Sequence, residues 1–310
     1  MRRFLWFVIF CCVSSVLGGD VLAQTVQKSV FAGSWYPGEP EALSHRLDLY
    51  LARTGKMVTV GRPVAMVSPH AGYAYSGQAA AYGFAALKGK GIRRVVIMGA
   101  SHYHGFAGVA VSTFSAYETP LGKVTVDVAA AKSLLDGQLF KMERVALEKE
   151  HSIEMQLPFL QKALDPGFTI VPVVFGDLRP EGYEQVAARL GKLMDGKTLI
   201  LASSDLTHYG RRFSYMPFAE DVGERIGQLD RGAIAAILSK DFRSFAAYVD
   251  KTGDTICGRV PIGVLLTMLP VDVRGDLLRY HTSADLTGER DGSVSYASVV
   301  FMGPSVGGAA

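Results

Sequence analysis

Val64-Ala65-Met66-Val67-Ser68-Pro69-His70-Ala71-Gly72-Tyr73 joins an apolar run without polar alternation to a turn that carries an imidazole. An apolar run closed by Pro and Gly reads as a strand buried on both faces, and a strand of that kind belongs between two helical layers. The same succession recurs twice. Arg94-Val95-Val96-Ile97-Met98 runs into Gly99-Ala100-Ser101-His102-Tyr103-His104, and Thr198-Leu199-Ile200-Leu201-Ala202 runs into Ser203-Ser204-Asp205-Leu206-Thr207-His208. Apolar runs at 169–175, 276–280 and 295–302 read as further strands. Helical patterns fall between them, at 41–53, 77–87, 127–135, 152–164, 182–194, 218–238 and 261–269. This alternation predicts an α/β protein, a three-layer α/β/α sandwich around a mainly parallel or mixed sheet. No repeat or Pro/Ser-rich linker divides the chain, so residues 24–310 are expected to form a single domain.

The 310 residues are 49% hydrophobic and 20% charged, which supplies a core and excludes a disordered chain. Lys and Arg number 32 against 29 acidic residues, with no basic stripe, so nucleic-acid binding has no electrostatic support. No Gly-x-Gly-x-x-Gly follows a strand and Pro120-Leu121-Gly122-Lys123 is not a phosphate loop, so no nucleotide cofactor is expected. Residues 1–23 stand apart. Arg2 and Arg3 precede an apolar run over 4–17, and Val21-Leu22-Ala23 offers the small residues of a cleavage site before Gln24. That is a signal peptide and implies an exported, periplasmic protein. The competing reading is a membrane anchor, but the run is short of the roughly 20 residues a span needs and Gly18-Gly19-Asp20 interrupts it. Phe10 before Cys11 argues against a lipoprotein signal. No stable membrane span is expected after cleavage, and the Gly/Ala-rich segment 303–310 is expected to fray.

Ligands of open α/β sheets bind beyond the carboxyl ends of the strands. Three strands deliver His70, His102, His104 and His208 there, and His151 precedes a helix in Glu150-His151-Ser152-Ile153-Glu154; only His45 and His281 fall outside the set. Gathered imidazoles point to a metal or to proton transfer. Cleavage would leave Cys257 as the one cysteine, unable to form an intramolecular disulfide. It is either a buried small hydrophobe or a metal ligand; Pro261 places it just ahead of a helix N-terminus, whose dipole favours the thiolate. Two His and one Cys make a three-donor set with an open position. Ser204, Asp205 and His208 are spaced too tightly for a hydrolase triad; Asp205 and His208 fit better as an orienting carboxylate beside a base, or Asp205 as a helix N-cap. The aromatic segment with Trp35 and Tyr36 is either a wall over the site or ordinary packing at the sheet edge.

Six separated motifs, covering the chain after residue 23 in order, resemble the Memo family, called in bacteria AmmeMemoRadiSam system protein B. They are Phe31-Ala32-Gly33-Ser34-Trp35-Tyr36-Pro37; Pro69-His70-Ala71-Gly72-Tyr73 with Tyr75-Ser76-Gly77; Ser101-His102; Glu150-His151-Ser152-Ile153-Glu154 with Leu157-Pro158-Phe159; Ser203-Ser204-Asp205 with His208; and Ile256-Cys257-Gly258-Arg259 with Pro261-Ile262-Gly263. The resemblance implies a fold similar to LigB-type class III extradiol dioxygenases, which use non-haem iron, and copper or iron ligands at His70, His102 and Cys257. His208 matches the acid/base histidine of the dioxygenases and His151 a second active-site histidine; Asp205, in the same motif as His208, is assigned from the residues alone as a supporting partner, and His104, without a clear counterpart in the family, is left unassigned.

Cysteine takes the place of the dioxygenase carboxylate. A softer donor moves the preference towards Cu(I), zinc or a differently tuned iron, so dioxygenase activity is not inherited automatically. The partners that the family label implies, an AMMECR-type domain and a radical SAM enzyme, are cytosolic, and export would separate this chain from them. The first expectation is metal-dependent redox chemistry with O2 or a small-molecule substrate. The others are a periplasmic copper-binding protein without turnover, or an interaction module with a vestigial site.

Overall fold

The structure is a computed structural model that describes residues 25–57, 59–289 and 291–304, so the expected signal peptide at 1–23 lies outside the described residues. The strands are β1 (Val26–Gln27), β2 (Arg62–Ser68), β3 (Arg94–Ala100), β4 (Val109–Val111), β5 (Ala116–Thr119), β6 (Gly122–Val126), β7 (Phe140–Lys141), β8 (Thr169–Phe175), β9 (Thr198–Ser203), β10 (His208–Gly210), β11 (Arg274–Thr282) and β12 (Gly292–Gly303). The helices are α1 (Pro40–Ala52), α2 (Tyr73–Ala85), α3 (Val128–Leu134), α4 (Arg144–Glu148), α5 (His151–Glu154), α6 (Leu157–Ala163), α7 (Pro180–Gly191), α8 (Val222–Leu238), α9 (Phe242–Thr252), α10 (Arg259–Met268) and α11 (Ser283–Thr287).

All strands join one mixed sheet in the order β1-β5-β6-β8-β3-β9-β2-β12-β10, with β11 on β12, β4 on β8 and β7 on β4. Its centre is parallel from β6 through β8, β3 and β9 to β2. Antiparallel pairs flank it, β5 on β6 and β12 on β2.

The apolar strands serve two cores at once, residue by residue. Met66, Val95, Ile97, Ile170, Leu199 and Leu201 pack on one face with Leu43 and Leu47 of α1, Phe84 of α2 and Phe159 of α6. Ala65, Val67, Val96, Met98, Val171, Ile200 and Ala202 face the other way, against Leu190 of α7, Ile234 of α8, Phe245 of α9 and Leu265 of α10. A period of two with apolar residues in both phases is what a sheet between two helical layers requires. Each such Val, Leu or Ile contributes roughly 1.5–3 kcal/mol by leaving water. The sandwich expected from the sequence is therefore present, with its core in two sheets of side chains.

Several boundaries differ for local reasons. The helix expected at 152–164 is two helices, α5 and α6, with Pro158 in the first turn of the second. α2 starts at Tyr73, four residues before the expected Gly77. α8 starts only after Asp221, whose φ of 49° is left-handed. α9 was not expected; Asp241 caps it by accepting from Arg243 N and Ser244 N, and Gly253 ends it at φ 63°. Gly303, expected to fray, closes β12. Among the described residues no helix is long and apolar enough to cross a membrane.

Candidate metal centre

β2, β9 and β3 lie side by side and run parallel, so their carboxyl ends open at one edge. His70 follows β2 by two residues and His102 follows β3 by two. Cys257 arrives from the other direction, immediately before Gly258 at the N-cap of α10. One donor atom from each of His70, His102 and Cys257 lies within 4.8 Å of the other two. The Cys257 Sγ is 3.1 Å from His70 Nε2. An ion with Zn–S and Zn–N bonds at tetrahedral angles would separate such donors by roughly 3.5 Å.

Hydrogen bonds fix which nitrogen each ring presents. The Ser203 hydroxyl has one proton, and it goes to the Ser152 carbonyl at 2.6 Å. Towards His70 Nδ1, at 2.9 Å, Ser203 Oγ can therefore only accept. Nδ1 carries the hydrogen and Nε2 offers its lone pair towards Cys257. Gln156 Nε2 donates to the same oxygen at 2.8 Å and to the Pro69 carbonyl at 3.1 Å. His102 is held likewise: its Nδ1 donates to Glu150 Oε1 at 2.8 Å and its backbone N–H to Oε2 at 2.8 Å. Glu150 also accepts from Ser152 N at 2.9 Å. Carboxylate or hydroxyl behind a ligating imidazole is the usual outer shell of a metal site.

The charges agree with that arrangement. Burial holds His70 well below the ordinary histidine value, with neighbouring His151, His102 and His208 adding to it, so the ring is neutral. Burial opposes charge on His102 too, but the Cys257 sulfur and the Glu150 carboxylate outweigh it and push this group up to about 10. In the metal-free protein a proton thus sits among the donors. Glu150 is buried, yet its bond from His102 keeps the carboxyl below the usual range. His151 is pushed down to about 3 by burial and by His102, whose ring centroid is 4.1 Å away.

The Cys257 sulfur accepts from Asp205 N at 3.2 Å. Ser204 Oγ accepts from Gly258 N at 2.9 Å and donates to the Asp205 carbonyl at 2.7 Å, stitching the two segments together. A Cβ on Gly258 would overlap the Ser204 side chain and the Ser203 carbonyl, so only glycine fits behind the sulfur.

The donors form the floor of a cavity of about 830 Å³, whose lining includes Trp35, Tyr75, His151, Asp205, His208 and Phe213. The aromatic segment thereby divides its duties. Trp35 is a wall, its ring 4.7 Å from that of His151. Tyr36 is packing, buried and donating to Glu154 Oε1 at 2.6 Å. His208 reaches the cavity with Nδ1 against the Leu206 carbonyl at 2.8 Å and the Thr255 carbonyl at 3.1 Å, so Nδ1 bears the hydrogen and Nε2 keeps a lone pair. Asp205 does not orient that ring by a hydrogen bond. Its Oδ1 accepts the His70 backbone N–H at 2.8 Å, which holds the loop after β2 in place. His104 stays outside the cluster, with Nε2 3.8 Å from Glu143.

Beneath the two loops, Thr207 Oγ1 meets Asp230 Oδ1 at 2.7 Å and Asp254 Oδ1 at 2.9 Å. One hydroxyl proton cannot serve both carboxylates, so one carboxyl keeps its own. Burial and Asp230 push Asp254 up to about 7, which makes Asp254 the holder.

A buried neutral imidazole, a second imidazole that binds an ion once its proton leaves, and a sulfur that accepts a backbone N–H suit a soft or borderline metal ion. The sequence pointed to these donors but not to their supports. Glu150 and Ser203 stand inside the motifs quoted above, yet no pattern in sequence assigns a Ser or Glu to the back of a particular ring. Phe213 follows no motif at all.

Residues 27–300 match the Memo-like protein family. The chain is 35% identical to the protein memo-1 homolog of Caenorhabditis elegans over 320 aligned positions, covering 98% of this chain and 90% of that one. It is 37% identical to protein MEMO1 of Xenopus laevis and 35% to that of Homo sapiens, each alignment covering 86% of this chain and 94% of the relative. Among solved structures, an uncharacterized protein of Escherichia coli K12 superposes with a TM-score of 0.53 at 13% identity, over 78% of this chain and all of that one, a likeness of fold.

Proposed function

The chain belongs to the Memo family, and on that premise we propose that it is an exported metal-dependent redox protein that holds copper or iron through His70, His102 and Cys257. One observation supports this most: two imidazoles and one sulfur converge at the floor of a cavity that small molecules can enter. The ion, once bound, supplies a Lewis-acidic and redox-active position on the cavity side. Zinc suits the same donors, and would supply the Lewis acidity without the redox chemistry.

The protein's own groups do the rest. Ser203 and Glu150 hold the two rings in orientation, so the donors meet an ion once the His102 proton has left. Trp35, Tyr75 and Phe213 give the cavity apolar surface beside the donors. His208 Nε2, free of the protein's own hydrogen bonds, takes or returns a proton from a molecule in the cavity. A neutral His151 beside it accepts a hydrogen bond rather than delivering a proton.

The test is His208→Ala. The variant is expected to keep stoichiometric metal by elemental analysis while O2 consumption falls by about 10²–10⁴-fold, the usual contribution of a positioned acid/base. Equal O2 consumption in parent and variant would remove His208 from the reaction. A parent loaded with metal that never consumes O2 would leave a metal-binding protein without turnover. Export is tested by fractionation and by N-terminal sequencing, which should begin at Gln24.

A further inference from the structure

A second cavity, of about 660 Å³, adjoins the metal chamber, and Ala74 and Tyr75 line both. Tyr75 is the partition. Its main chain is pinned by His281 Nε2 on the Tyr75 carbonyl at 2.8 Å, while the side chain is 45% exposed.

Another wall is one face of α1, where Ala42, Arg46 and Leu49 recur at helical spacing with His45 beside them, continued by Arg53 at the helix's C-cap. No carboxylate belongs to this lining. Asp48, on the same helix, is turned to Lys162 at 2.8 Å, and Asp285 caps α11 by accepting from Thr282 N. Among the described residues the arginines that pair with acids are Arg94, Arg144, Arg189 and Arg274. Arg46 and Arg53 are exposed, permanently charged and unpaired. The metal chamber differs in character: Trp35, Tyr75 and Phe213 are among its walls, and the guanidinium of Arg212 is already laid over the Phe213 ring at 4.6 Å.

We propose that the two cavities form one trough for an elongated organic anion. Its planar, apolar end enters the metal chamber past Tyr75, and its acid group lies against Arg46 and Arg53. This names the substrate class for the redox reading above and rests on the same cavity. Guanidinium groups bind carboxylate or phosphate through paired N–H donors, and two long side chains about two turns apart on one side of a helix can lean towards the same group. The chamber's lining is mostly apolar in area above its polar floor, which suits an apolar end with few polar groups. A neutral or cationic molecule of the same shape gains nothing at the α1 face.

Calorimetric titration with 4-phenylbutyrate, its neutral counterpart 4-phenyl-1-butanol and the cation 4-phenylbutylamine tests this in metal-loaded and metal-free protein. The acid is expected to bind about tenfold or more tightly than the alcohol, the amine most weakly, in both forms. Arg46→Gln with Arg53→Gln should bring the acid down to the alcohol's affinity and leave the alcohol unchanged. Equal binding of acid and alcohol would overturn the proposal. So would an acid preference that survives the double variant and disappears in Arg212→Gln, since the anion would then sit in the metal chamber. Elemental analysis of the same samples separates the outcomes, because a protein without metal defeats the redox reading while the anion preference stands or falls by itself.

Discussion

Ser203→Ala removes one oxygen atom and should weaken both the fold and the metal site. The Ser203 hydroxyl meets His70 Nδ1 at 2.9 Å, Gln156 Nε2 at 2.8 Å and the Ser152 carbonyl at 2.6 Å, and all three residues are buried. Gln156 keeps its bond to the Pro69 carbonyl. The His70 N–H and the Ser152 carbonyl lose these partners. At about 1–3 kcal/mol for each orphaned group, the variant should lose about 2–6 kcal/mol of stability. The functional consequence is separate. Without an acceptor at Nδ1, the proton of neutral His70 can move to Nε2 and block the lone pair that faces Cys257. Supports of this kind are worth about 10–100-fold in metal affinity.

The assay is chemical denaturation of the metal-free protein together with competition against a chelator. Ser68→Ala is the matched control: Ser68 is the register partner of Ser203 across β2 and β9, equally buried, and its hydroxyl has no partner. That change should leave stability and metal affinity within about 1 kcal/mol of the parent. A Ser203→Ala protein that binds metal as tightly as the parent would refute the tautomer argument.

Three further outcomes follow from the same geometry. Because His102 is pushed up to about 10, an incoming ion must displace its proton near neutrality; metal affinity should rise about tenfold per pH unit between pH 6 and 8, and a flat profile by chelator competition would contradict this. Asp254, at about 7 in the folded protein against an ordinary 3.8, binds its proton more tightly folded than unfolded. Its stabilising effect is complete below pH 4 and is lost as pH rises towards 7, so Asp254→Asn should gain on the parent by up to about 4 kcal/mol at pH 8 and by less at pH 5; thermal melts at both values check the sign, and a variant less stable than the parent at pH 8 would contradict it. Gly258→Ala drives a methyl into Ser204; it should cost about 1–3 kcal/mol in a denaturant melt and release metal by displacing Cys257, and normal metal content would show that the segment yields freely.

Legibility in the sequence tracked how local each physical cause is. The central strands β2, β3, β8 and β9 are recognisable because both faces are buried, so apolar residues fill both phases. The short strands β4, β5 and β7, of two to four residues, carry no readable period and form by pairing at the sheet's flank. α9 left signals at both ends, Asp241 and Gly253, but its buried side is narrow, with Phe245 and Val249 alone fully enclosed. For the site, a histidine after each of two parallel strands predicted convergence, and α10 after Cys257 predicted where the sulfur would come from. What the sequence could not carry was direction. Asp205 stands three residues before His208, yet its carboxylate turns to the His70 backbone, because the loop after β2 presents an N–H there and His208 finds two carbonyls instead. The basic face of α1 beside the metal chamber was likewise invisible, since it depends on how α1 lies against Tyr75.

X-ray absorption spectroscopy of the copper- or iron-loaded protein tests the central claim most directly. It should show one sulfur at about 2.3 Å and two imidazole nitrogens at about 2.0 Å, with the sulfur contribution gone in Cys257→Ser. A first shell of nitrogen and oxygen alone, unchanged by that substitution, would mean that Cys257 does not hold the ion.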